Sequence, residues 1–407
     1  MHADYALPLL HALGAGAGHT HLVRVQRLQF SEALERTVVL LVDRSASGEG
    51  EVEYREVADL PALDRLLASK ALTGIRRRRR AVEDGDLAPR SRLATRLRWH
   101  LEPEEVQAWE LACAHPHVSA LGDVASVRIG VVTGANSWFI RTGREAERLG
   151  AEHVPVVARG AWLNGPSWHA SQQRAVLDRR SRLLTLTSDA KFTPELLDEI
   201  ARAERDSLHR RHHCAARSSW WSLTDVRRPE LFLPYMGVRA PGLVLNWMKP
   251  GSPGTAALGV ASWTSLWRLS AELHGRSYGG GVLKVEPCEA VRLRAAILPR
   301  DPGEAFAWVD DCWRRDGEAA ARELADRLVL EDALSLPSAV VAALRAAAMR
   351  LEAAASPSEL DHDPEPSALW LPSEQLALVL GRARHGAACV VEDTAAGAPV
   401  IISVHQL

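Results

Sequence analysis

The chain has 407 residues, 47% of them hydrophobic and 25% charged, the profile of a globular protein with room for more than one core. No apolar run reaches the ~18 residues that span a bilayer, and no basic segment followed by an apolar stretch opens the chain, so a cytoplasmic protein without membrane contact is expected. The five cysteines are scattered with no C-x-x-C pair, which fits a reducing compartment and argues against a zinc knuckle. The formal net charge of −2 conceals an asymmetry: residues 61–300 carry 36 Lys/Arg against 24 Asp/Glu, and both flanks are acidic. A basic middle points to a polyanion, with nucleic acid the first candidate.

In chain order, "ADYALPLLHAL" reads as a short helix ending at glycines. "HLVRVQRL", "RTVVLLVDR" and "EVEYREV" read as strands, the second apolar enough to be buried, and "LPALDRLLASKAL" as a helix. The charged stretch "TGIRRRRRAVEDGDLAPRSR" reads as a connector whose arginines are available to phosphates. "EPEEVQAWELACA" is a helix with acids in its first turn, where the helix dipole favours them. From Val118 to Arg300 short β-like runs alternate with Gly, Pro and Asn turns, and 8 of the 13 tryptophans gather there, so a β-rich domain is expected. Residues 303–355 are helical in pattern; the tail begins acidic and Pro-rich, then offers a helix over 372–384 and two weak strands.

Three stretches invite a cofactor or metal reading and fail it. A phosphate loop needs a strand before it and a helix N-terminus after it, so that N–H groups and the dipole face the anion. "GAGAG" at Gly14–Gly18 runs from helix into strand, and "GVVTGANSWFI" (130–140) is followed by the β-prone "SWFI" and reads as strand–turn–strand. "LHRRHHCAARSSWW" gathers His209, His212, His213 and Cys214, but four packed donors on one stretch cannot converge on one tetrahedral ion, so it reads as a basic surface strand. No G-x-S-x-G, P-loop or H-E-x-x-H occurs.

The order of segments carries a resemblance that no single one does. "HVSALGDVASVRIGVVTGANSWFI" is followed by "HVPVVARGAWLNG", then "HHCAARSSWWSLTDVRRPELFLPYMGVRAPGLVLN", then "GRSYGGGVLKVEPCEAVRLRAAIL". This succession resembles the C-terminal half of the type II N6-adenine-specific DNA methyltransferases, and the opening "HLVRVQRLQFSEALERTVVLLVDR" resembles the last strands of their catalytic domain. The resemblance implies an α/β fold: a partial Rossmann-like methyltransferase sheet (1–75), a basic linker and helix (76–117), and a mixed, β-rich target-recognition domain (118–300). A helical region (301–355) and an acidic, Pro-rich tail (356–407) complete the expected order. The family's F-x-G-x-G loop for S-adenosylmethionine and its Asn-Pro-Pro-Tyr tetrapeptide have no counterpart in these residues. The resemblance therefore implies a catalytic partner subunit that carries the methyl donor, with double-stranded DNA as the ligand of this chain. The alternative from another class is a DNA-binding protein without catalysis, and a third is a module for protein contacts.

Arginine and asparagine suit base-edge reading, lysine and arginine hold phosphates, and aromatics compensate for lost stacking. On the resembling segments the DNA-binding expectation falls on Thr133, Asn136, Trp138 and Arg141 at the domain entry. It continues with Arg217, Trp220 and Trp221 in the middle and Arg276, Tyr278 and Lys284 around the glycine turn. No catalytic, cofactor-binding or metal-ligating residue is expected in this chain.

Overall fold

The computed structural model describes residues 100–353 except 177–178, 188–191, 224–225, 238, 248–251, 278–281 and 299, together with 19–25, 38–43, 51–68, 76–81, 377–380, 388–391 and 400–404. It is a mixed helix and strand architecture with several small sheets. No helix among the described residues is long and apolar enough to cross a membrane. The stretches 3–13 and Gly14–Gly18 lie outside the described residues.

The first sheet has four strands. His19–Val25 sits between Val38–Asp43, antiparallel to it, and Glu51–Val57, parallel to it. These are the three strands expected, and Leu60–Ala68 is the helix that follows. Val23 and Val57 pack with Leu63 and Leu66 of that helix. The arginine run corrects the connector expectation: Arg76–Ala81 is a strand antiparallel to Glu51–Val57, with Glu53 opposite Arg79 and Glu56 opposite Arg76.

The β-rich expectation for 118–300 needs a second correction. Its strands run only two to five residues, and it contains the helices Pro194–Arg205, Pro253–Ala261 and Ser265–His274. Each starts on a hydroxyl cap, Thr193, Ser252 or Thr264, which accepts from a backbone N–H in the first turn. The last two helices are buried on nearly every side, so they lack the polar face that marks a surface helix. Gly259 lets the first of them approach Pro302–Asp316, since a Cβ there would meet the Phe306 ring at 2.7 Å.

The largest core draws on Pro103–Cys113, on the buried pair around Trp263 and Trp267, and on the helices Pro302–Asp316, Glu318–Ala325 and Ser338–Ala353. A second core is built from Val131 to Leu223, around Trp138, Phe139, Leu183, Leu196 and Trp220. A small third cluster contains Trp168, Phe232 and Val244. Within 372–384 the expected helix gives way to a strand, Ala377–Leu380, and the two further strands are Ala388–Val391 and Val400–Val404. Val400–Val404 lies antiparallel to Ala125–Ile129.

Candidate nucleic-acid interface

The stretch 130–140 is a strand, a tight turn and a single helical turn. Val131–Val132 leads into Thr133, and Asn136–Phe139 is helical, not the second strand expected from its aromatic residues. Thr133 Oγ1 donates to Asn136 Oδ1 at 2.5 Å and accepts from the Ala135 N–H at 3.1 Å, so the two polar side chains are spent on closing the turn. Gly134 has φ +74°, a left-handed conformation that favours glycine. A Cβ there would also meet His213 Cβ at 2.9 Å and Cys214 Sγ at 3.0 Å. The segment read as a basic surface strand is instead a 3-10 turn, Leu208–Arg210, and a short helix, His212–Ala215, laid against this glycine.

Trp138 packs on Phe139 at 4.8 Å and on Trp220 at 4.7 Å between ring centroids. Trp138 is 4% exposed, and Thr133, Asn136, Arg141 and Trp220 are buried with it. Their expected presentation to DNA is thus replaced by an inward one. Arg141 donates to the Trp138 carbonyl at 2.7 Å and pairs with Glu199 at 2.6 Å; the Trp220 indole donates to Glu204 at 3.0 Å. Trp221, half-buried, meets Phe192 edge to face at 4.9 Å. Arg217 donates to the carbonyls of Thr133 at 2.8 Å, Trp220 at 3.1 Å and Val132, and its guanidinium lies over Phe139. Burial pushes its pKa down.

In the second expected cluster Lys284 is inward and Arg276 half-exposed. Lys284 is buried, bonded to Glu286 at 2.8 Å and set over the Tyr235 ring. Arg276 pairs with Glu289 at 2.6 Å and with Glu286 at 3.3 Å. Tyr278 and Gly279–Gly281 lie outside the described residues. Glu286, Cys288 and Glu289 bring metal-compatible atoms together, but both carboxylates are held by these cations. The polar cluster of Ser167, His169, Asp310 and Arg314 was not foreseen. It is no nucleophilic triad, because Ser167 Oγ at 2.9 Å and Asp310 at 3.6 Å both face His169 Nε2 and Ser167 is fully buried.

What faces outward is a set of arginines that carries no motif. Arg144, Arg148, Arg159, Arg174, Arg179, Arg205, Arg210 and Arg211 are exposed and form no ion pair among the described residues. Such cations are free for an external anion. Only the charge asymmetry of the sequence signalled them.

The family described as "Type II methyltransferase M.Eco57I, C-terminal domain" matches residues 95–330, more than half of the chain. Type II methyltransferase M.XamI of Xanthomonas campestris pv. amaranthicola is 27% identical over 197 residues, which are 44% of this chain and 36% of that protein. Among solved structures, the type IIG restriction endonuclease BpuSI aligns with a TM-score of 0.39 and 16% identity, covering 88% of this chain and 46% of that one. The chain spans less than half the length of these relatives.

Proposed function

The chain belongs to the family of the type II methyltransferase M.Eco57I C-terminal domain, and on that premise we propose that it is the DNA sequence-recognition portion of an N6-adenine-specific DNA methyltransferase of a restriction-modification or phage-defence system. The unpaired, exposed arginines of residues 144–211 are the observation that carries the reading. A methylated amine is hidden in the duplex, so the target base leaves the stack, and a second surface must hold the backbone while it does. The free arginines do this holding. Thr133, Asn136, Trp138, Arg141 and Trp220 shape the turn and core of this region, and Lys284 and Arg276 hold the short helix Pro287–Ala290 through Glu286 and Glu289.

The methyl donor, S-adenosylmethionine, and the Asn-Pro-Pro-Tyr-type tetrapeptide belong in this reading to a catalytic half. Residues 1–75 are the end of the catalytic sheet, and 118–300 the recognition domain. The test is binding of a fluorescent duplex by this chain at graded salt. Each neutralised phosphate contributes about −0.9 to the slope of log K against log salt, so a steep slope is expected, and affinity that stays flat with salt overturns the proposal. Calorimetry of the chain alone with S-adenosylmethionine is expected to show no uptake; micromolar binding would return the donor site to this chain.

A further inference from the structure

The helix Pro302–Asp316 and the segment after it, Glu318–Ala325 continued as a π-helix over Asp326–Ala333, border a surface groove of about 790 Å³. Its apolar part is Trp308, 50% exposed, with Leu324 and Leu328 partly buried beside it. A large exposed ring in a groove is the kind of anchor on which protein interfaces concentrate their affinity. Three acids and three arginines line the groove among the described residues, so its charge favours neither a polyanion nor a polycation. Four of these are matched, Arg315 to Asp311 at 3.4 Å and Arg345 to Glu323 at 3.9 Å. The other two, Arg327 and Glu331, form no ion pair among the described residues, with each other or with a neighbour. They stand four residues apart on the π-helix, the cation first, which is the weaker order for pairing along a helix. An element laid antiparallel to its own copy about a twofold axis brings position 327 of each opposite position 331 of the other. Two ion pairs then form from residues that one chain leaves unmatched. An unrelated partner has to supply an acid and a base at the right separation, whereas a second copy carries them already.

We infer that this groove is a self-association surface, where two copies of the chain meet about a twofold axis with Arg327 of each against Glu331 of the other and Trp308 in the apolar centre. The inference goes beyond the DNA-binding reading and does not rest on it.

The test measures the mass of the full chain by light scattering after gel filtration and its self-association constant by sedimentation. The variants are Arg327→Glu, Glu331→Arg, the two combined, and Trp308→Glu. None of the three positions is buried, so melting temperatures should stay near that of wild type; should Trp308→Glu misfold, the charge series decides alone. Wild type is expected to be a dimer at micromolar concentration. Each single reversal should weaken the dimer at least about tenfold, because like charges then face one another twice across the axis. The combined reversal should restore it to within about threefold, as expected of a directly paired acid and base. A wild-type chain that stays monomeric overturns the proposal. So does a dimer indifferent to all four variants, which must use another surface, or one that the combined reversal fails to restore. If the chain is monomeric alone but binds a separate catalytic subunit, and Trp308→Glu abolishes that binding, the groove belongs to that partner and self-association falls. None of these outcomes touches the DNA-binding reading, which stands or falls on duplex affinity against salt.

Discussion

From Pro302 to Ala353, the arginines other than Arg327 are matched to carboxylates: Arg314 to Asp310, Arg315 to Asp311 and Asp316, Arg322 to Glu318, Arg345 to Asp326 and Arg350 to Glu105. Between Arg144 and Arg211 the pattern inverts. Arg202 pairs with Glu199 at 3.2 Å and Arg180 with Glu145 at 3.9 Å, while Arg144, Arg148, Arg159, Arg174, Arg179, Arg205, Arg210 and Arg211 form no ion pair among the described residues. Both regions are rich in arginine, so composition does not separate them. What separates them is whether acids sit within reach. Pairing leaves little field outside the surface, whereas unpaired cations sum into a potential that attracts a polyanion.

The largest effects expected test whether both regions have true cores. Trp267→Ala, in the large core, and Trp138→Ala, in the smaller, should each cost about 3–5 kcal/mol of stability by denaturant unfolding. Both rings are buried, and Trp267 also donates to the Pro241 carbonyl at 2.7 Å. If Trp138→Ala unfolds like wild type, the second core is not a core and the comparison breaks.

Next comes the charge contrast itself. The triple change Arg205→Ala, Arg210→Ala and Arg211→Ala should weaken duplex binding about a hundredfold at low salt and reduce the salt slope by up to about 2.7. Stability should move by less than about 0.5 kcal/mol per exposed position. Arg315→Ala combined with Arg327→Ala serves as the comparison; an equal loss of binding there would erase the distinction between the regions.

Gly134→Val sharpens the comparison at one residue, with an expected loss of about 1–3 kcal/mol from left-handed backbone strain, together with the close contact to His213 and Cys214. A melting temperature equal to wild type would remove the strain argument.

The smallest effect depends on pH. The Glu145 carboxyl is held below its ordinary range first by its hydrogen bond from the Thr142 backbone, reinforced by the Thr142 side chain and by Arg180 and Arg141. A depressed carboxylate contributes stability above its unfolded pKa and loses it as pH falls through the folded one. Asp326 is the opposite: burial raises its pKa, against the hydrogen bonds from Ser265 and the charge of Arg345. Its ionised form is therefore disfavoured by folding, and that penalty is relieved as pH falls towards the raised value. Glu145→Gln should cost about 1 kcal/mol at neutral pH, as for a lost cap, and the gap to wild type should close in acid. A gap that persists below the ordinary glutamate range would count against the assignment.

Local signals were legible and partners were not. Pro103 behind Glu102, with acids in the first turn, announces its helix from a few residues. The strand at Arg76–Ala81 could not be read, because a run of like charges looks solvated until the Glu-bearing strand beside it is known. The helices Pro253–Ala261 and Ser265–His274 hid for the reverse reason: burial on all sides erases the period by which helices are recognised. The candidate site residues show the same dependence on neighbours. Thr133, Asn136, Trp138 and Trp220 are residue types that serve both binding and packing, and the choice was made by neighbours such as Glu204, far along the chain. The free arginines were invisible singly, since each is an ordinary surface residue without its missing partners.

The guanidinium of Arg217 touches the carbonyls of Val132 and Thr133 on one side and that of Trp220 on the other. The stretch in between is thus an excursion whose departure and return are fastened by a single side chain. An insert with neighbouring ends can be exchanged for another while its host keeps both anchor points in place. A replacement that ends within reach of that arginine has a further tie to reproduce, because Ser167, midway along the excursion, donates to Asp310 of the helix Pro302–Asp316 at 2.7 Å.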